Sequence, residues 1–157
     1  MILDERSEFA DAVSVAAAAG TALIGDVIDT QVGALNATLN PGNGQPLYFI
    51  INIDTSIVTG GVAGTVQFAL MSDSTADLNT SPTTHFLTAA YATGATGTAG
   101  STLAGSTPVM VALPQGSYER YLGVKCITAT TTTTAGKINA FLTPDPASWR
   151  AYADAVN

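Results

Sequence analysis

"LYFIINI", residues 47–53, alternates with the period of an extended chain. Leu47, Phe49, Ile51 and Ile53 fall on one face, and Tyr48, Ile50 and Asn52 on the other. Both faces are largely apolar, so such a strand is either central in a sandwich or covered by a partner. "TVQFALM", residues 65–71, has the same period, with Val66, Phe68 and Leu70 inward and Thr65, Gln67 and Ala69 outward. In "YERYLGVKCIT", 118–128, Leu122, Val124 and Cys126 share a face. In "KINAFLT", 137–143, Ile138, Ala140 and Leu142 alternate with Lys137, Asn139 and Phe141. "HFLTAAYAT" (85–93) and "PVMVAL" (108–113) are weaker strands, and Pro108 is admissible only at a strand's beginning or edge.

The segments between these strands read as turns and loops. "LNATLNPGNGQP" (35–46) is a loop, "TSIVTGGVAG" (55–64) a Gly-rich link, and "SDSTADLNTSPT" (72–83) a long polar loop. "GATGTAGSTLAGST" (94–107) is a Gly/Thr loop or hairpin, and "ATTTTTAG" (129–136) joins two strands as a hairpin. "TALIGDVIDTQV" (21–32) reads as short strand pieces broken at Gly25. The sum is six to eight strands with no βα alternation, the pattern of an all-β, two-sheet antiparallel sandwich or a barrel. The Cys–Trp–Cys hallmark of immunoglobulin domains is missing. Residues 1–20 fit either a helix or, preferably, an extended arm with a short turn. Residues 21–144 form the sandwich. Residues 145–157 are a tail, either helical with Asp145 as cap and Pro146 first, or extended and anchored by its aromatics.

The chain has 157 residues, enough for one real core and too few for two full domains. Charged residues make up 11%, against about 25% in an average soluble protein. Thr, Ser, Gly, Ala and Asn take their place, and a surface with little charge to desolvate suits large protein contacts. Net charge is −7 with five basic residues scattered along the chain, which argues against nucleic acid as a partner. No apolar run is long enough to span a membrane, and "MILDERSEFADA" is the reverse of a signal peptide.

Little in the sequence points to catalysis. His85 is the one histidine and needs an orienting acid and a reacting partner. Cys126, the one cysteine, sits on an apolar face and reads as a buried structural thiol. No metal-ligand or cofactor spacing is present. "SDSTAD", with Asp73 and Asp77, resembles a calcium loop only superficially, because the following Gly and terminal Glu are missing. Asp26, Asp29 and Asp54 belong to no recognisable pair. "LPQGSYERYLGVKC", 113–126, concentrates Glu119, Arg120, Lys125, Tyr118, Tyr121 and Cys126, yet reads as a strand end, a Pro/Gly turn and a new strand.

The ordered set "MILDERSEFADA", "GDVID", "GNGQPLYFIINID", "SDSTADLNTSPTT", "LPQGSYERYLGVKC", "TAGKINAFLTPDP" and "WRAYADAVN" runs over essentially the full chain. In this set the chain resembles the capsid cement, or decoration, proteins of short-tailed bacteriophages of the Bordetella-phage type. The resemblance implies a jelly roll on the outer surface of an icosahedral head, made in the host bacterial cytoplasm, with no catalytic activity and no cofactor. It implies the major capsid protein as partner, bridged between neighbouring subunits against the pressure of packed DNA. It also implies self-association, as a homodimer or, as runner-up, a homotrimer. Ile2, Leu3 and Phe9 are the expected N-terminal contacts, and Trp149, Arg150 and Tyr152 the C-terminal ones; Tyr48, Ile50, Tyr118 and Arg120 complete the set. Phe9 and Trp149 could equally close the domain's own core. The competing readings are a receptor- or carbohydrate-binding module of a fibre and a small glycan-active enzyme with two carboxylates in one cleft.

Overall fold

The computed structural model describes residues 5–32, 37–38, 40–44, 46–60, 62–94 and 102–149. Two antiparallel sheets enclose one apolar core. The first runs in the order β1 (Glu8–Ser14), β11 (Thr133–Thr143), β5 (Tyr48–Thr59), β9 (Val109–Ala112). The second runs β2 (Gly20–Asp29), β10 (Tyr121–Ala129), β6 (Gly64–Asp73), β7 (Thr83–Leu87), and β8 (Tyr91–Thr93) also pairs with β6. A small hairpin, β3 (Gln31–Val32) with β4 (Ala37–Thr38), stands apart. Early strands pair with late ones in nested order: β1 with β11, β2 with β10, β5 with β9. That connectivity is a jelly roll, which the period of the strands could not distinguish from other sandwiches.

Strand faces follow the expected alternation, and several boundaries differ. Residues 8–14, read as part of an arm, form β1 and pair with β11 through two register shifts. Phe9 is the physical reason: it is buried, with its ring edge-on to Phe49 at 6.0 Å, and Phe49 meets Phe86 at 6.3 Å. Three aromatic rings from β1, β5 and β7 thus cross the core in contact. The link expected from residue 55 begins only after Thr59, because Ile57 is fully buried and carries β5 onward. Gly25 does not break the strand. It sits inside β2 at φ 64, where the pairing with β10 shifts by two residues. The described part of the tail begins with a 3-10 turn, Pro146–Trp149, with Asp145 accepting the Ala147 N–H at 3.1 Å.

The outward faces are also partly covered. Ile50 and Phe141 face away from the core, opposite each other on β5 and β11, yet both are buried. On the second sheet the polar loop after β6 folds back as a lid. Leu78, at φ 52, is fully buried and packs over Gly123, where a Cβ would stand 2.8 Å from the leucine methyl. Lys125, 5% exposed, donates from its ammonium to the Leu78 carbonyl and to Asn79 Oδ1. Asp73 organises the rest of the lid: its carboxylate accepts the N–H groups of Ser74, Thr80 and Ser81 and the Ser74 hydroxyl. Burial works to raise the Asp73 pKa, but those donors outweigh it and hold the carboxyl below its usual range. The calcium-like loop is therefore tied together by protein hydrogen bonds on the carboxylate itself.

The two sheets approach closely at Gly25, where a Cβ would lie 1.9 Å from the Phe9 carbonyl oxygen. Gly25→Ala adds that atom at a positive φ and should cost about 3 kcal/mol or more. Urea unfolding should show a lower midpoint with an unchanged slope; an unchanged midpoint would refute the close approach of β1 and β2.

Candidate assembly surface

The charged patch in "LPQGSYERYLGVKC" is a structural hub at one end of the sandwich. The Thr30 hydroxyl donates to the carbonyls of Glu119 (3.1 Å) and Arg120 (2.9 Å), and the Thr30 amide also donates to Arg120 O. Asn40 Oδ1 accepts the Tyr118 N–H at 3.0 Å, and Glu119 accepts the Thr83 hydroxyl at 3.0 Å. Tyr118 is buried, and its phenol donates to the Pro114 carbonyl within the same turn. Burial pushes that phenol up to about 12, so it stays neutral. Three segments distant in sequence, at Thr30, Asn40 and Thr83, are thereby fixed to one turn.

The lone histidine belongs to this hub. His85 Nε2 lies 2.7 Å from Ser72 Oγ, and its ring packs 4.3 Å from that of Tyr118. Ser72 Oγ also accepts the Glu119 N–H at 3.1 Å, so the one hydroxyl ties His85 to the hub turn. Ser72 is fully buried, and the pair braces a turn against β6 and β7. The pairing of β6 with β7 brings Ser72 to His85. Burial also raises the Cys126 thiol to about 11, with a smaller opposing effect from the Thr128 hydroxyl, and keeps it protonated.

Among the described residues, the expected contacts do not form one patch. Phe9, Ile50 and Tyr118 are 1%, 0% and 4% exposed and serve the interior of their own domain, so as folded they offer no surface to a partner. Tyr48 is half-buried at the start of β5. Arg120 is exposed, donates through two nitrogens to Asp29, and stands 4.8 Å above the Tyr121 ring. That hydrogen bond, followed by the Gln31 N–H, lowers the Asp29 pKa. Ile2, Leu3, Arg150 and Tyr152 lie outside the described residues, as does the side chain of Trp149. Leu87 and Met110, both exposed, lie on different sheets and do not join into a patch.

A groove of about 790 Å³ runs along the edges of β1 and β2, where one sheet faces the other. Val13, Val27 and Ile28 give it a half-buried apolar floor. Asp11 and Asp26 are exposed along it, Glu8 and Arg6 also line it, and so does Asp29, which is paired with Arg120. Sequence reasoning singled out "DVID" without a partner for it and passed over Asp11. Only the pairing of β1 into the first sheet brings the two acidic segments opposite each other.

Residues 9–142 match the Bbp16 family. The matched span begins inside β1 and ends inside β11, so it covers the two-sheet domain rather than an appendage. This is the Bordetella-phage family to which the sequence resemblance pointed, and it carries a structural, virion-associated role. No curated protein matches the chain.

The hub also has a pH signature. Burial lowers the His85 pKa below 6.5, only partly opposed by the negative charge of Glu119. The unfolded chain therefore takes up the proton first as pH falls. The stability held by neutral His85 is complete above pH 6.5 and declines as pH drops toward the folded-state value. Urea unfolding at about pH 7.5 and about pH 5, above the range where carboxylates protonate, should show this loss in the wild type and a flatter profile in His85→Gln. Equal slopes would remove His85 from the account.

Proposed function

The chain belongs to the Bbp16 family, and from that membership we propose that it is a capsid cement protein. It binds the outside of an icosahedral phage head and bridges neighbouring major capsid protein subunits without catalysing a reaction. The observation that carries this reading is the family match over the whole jelly roll, residues 9–142.

Three physical features support it. The domain is pre-ordered: its long lid and its hub turn are tied down by internal hydrogen bonds, so little loop entropy remains to be lost on docking. The surface has few charges to strip of water, with 11% charged residues overall. Many copies on one shell multiply modest contacts through avidity. Self-association into a dimer, with a trimer as the runner-up, would double or triple the anchoring points of each unit. The segment before β1 and the C-terminal stretch from Trp149 onward supply further contacts through Ile2, Leu3, Trp149, Arg150 and Tyr152.

Cryo-electron microscopy of intact particles tests the proposal: density for this jelly roll outside the shell, touching two or more capsid subunits, is the expected result. Density confined to a tail or fibre would turn the reading to receptor or carbohydrate binding. Deletion of residues 1–7, which stops short of β1, should leave a cooperatively folding domain with lower occupancy on the shell. Full occupancy of that variant would sink the role of Ile2 and Leu3. Deletion of residues 1–9 would not separate the two effects, because it also removes Phe9 from the core.

A further inference from the structure

We propose that the groove between β1 and β2 receives an extended, Lys- or Arg-bearing segment of a capsid subunit; the inference rests on the cement reading. The first observation is the state of the two strands. β1 pairs in its sheet only with β11, and β2 only with β10, so each is a sheet edge. An edge strand presents main-chain donors and acceptors to an incoming extended chain. Gly25 lets the two edges approach closely beside the Phe9 carbonyl, and the groove lies along the same two strands.

The second observation is the lining. The floor of Val13, Val27 and Ile28 accepts the aliphatic stem of a long basic side chain. The rim supplies its counter-charge: among the described residues no hydrogen bond or ion pair engages Asp11 or Asp26, both exposed. Asp29, by contrast, is already answered by Arg120. The volume, about 790 Å³, is that of a cleft able to hold a peptide segment. A second copy of this chain is a poor occupant, since it brings a net charge of −7 and five basic residues, of which Lys125 is buried and Arg120 is paired. Nucleic acid is repelled by the same carboxylates.

The test titrates the full chain onto phage heads stripped of it and follows the bound fraction by sedimentation. Asp11→Asn combined with Asp26→Asn should raise the half-saturating concentration about tenfold at low salt, and should flatten the salt dependence seen for the wild type. Both sites are exposed, so thermal unfolding should be unchanged. Asp54→Asn, an exposed acid outside the groove, should bind as the wild type does. Carbodiimide coupling on assembled heads should join Asp11 or Asp26 to a capsid lysine, or leave an arginine-bearing capsid segment resolved in the groove by cryo-electron microscopy. Wild-type saturation by the double variant overturns the groove alone, as does a cross-link only to a second copy. Failure of the wild type to bind stripped heads overturns the cement reading and the groove with it.

Discussion

At several places where the described chain leaves a strand, a short polar side chain takes over the hydrogen bonds that the sheet ladder drops, and the rest of the structure depends on that substitution. Buried main-chain N–H and C=O groups must find partners. A protein with 11% charged residues has few long ionic side chains to offer them. Thr133 alone accepts the Ala17 N–H and donates to the carbonyls of Val15 and Ala17, holding the β1–β2 connection to the start of β11. Thr88 does the same for Phe68 N, Asn139 for Ala12 N in the β1 bulge, and Thr30 for the hub turn. The abundance of threonine is thus not merely a preference for β structure. Many of these hydroxyls are internal ties.

This explains how much the sequence disclosed. The alternation in 47–53, 65–71, 118–128 and 137–143 reports which side chains face the core, because that depends only on neighbours along the strand. Apolar residues on both faces of 47–53 rightly indicated a covered strand, and Ile50 is buried on the outer face. The ties and close approaches are pairings across the fold, and periodicity carries no information about them. Gly25 looked like a break because its purpose lies at Phe9, in another strand. Tyr118 looked like a surface anchor because His85 and Pro114, which enclose it, belong to other contacts of the turn. Leu78 was one apolar residue in a polar loop. Its fixed place comes from Gly123 and Lys125, on β10. The acidic groove was illegible for the same reason, since residues 8–14 had first to be recognised as a strand.

A structural role in a virion and this internal economy of charge fit together. A domain that satisfies its loops internally can present them to a neighbour already shaped, so association orders little that was free before. The few charges that remain unengaged stand out. Several acids are engaged within the protomer itself: Asp29 with Arg120, Asp73 within the lid, Asp77 with Thr75. Asp11 and Asp26 are different in this respect, which is what draws attention to the seam between the sheets.

The pairing of the first long strand with the last has a mechanical consequence. Glu8 at the start of β1 lies opposite Phe141 near the end of β11, so the two ends of the domain leave the same sheet side by side. A force that drew those ends apart would open the β1–β11 pair rung by rung, loading one hydrogen-bonded pair at a time. A force applied across the body of the sandwich would instead have to slide whole strands past one another, with many bonds sharing the load. A swelling shell strains whatever bridges its subunits. A bridge built from this domain is strong when both ends are anchored on the same side and the pull passes through the sheets, and weak when each end is tethered to a different subunit.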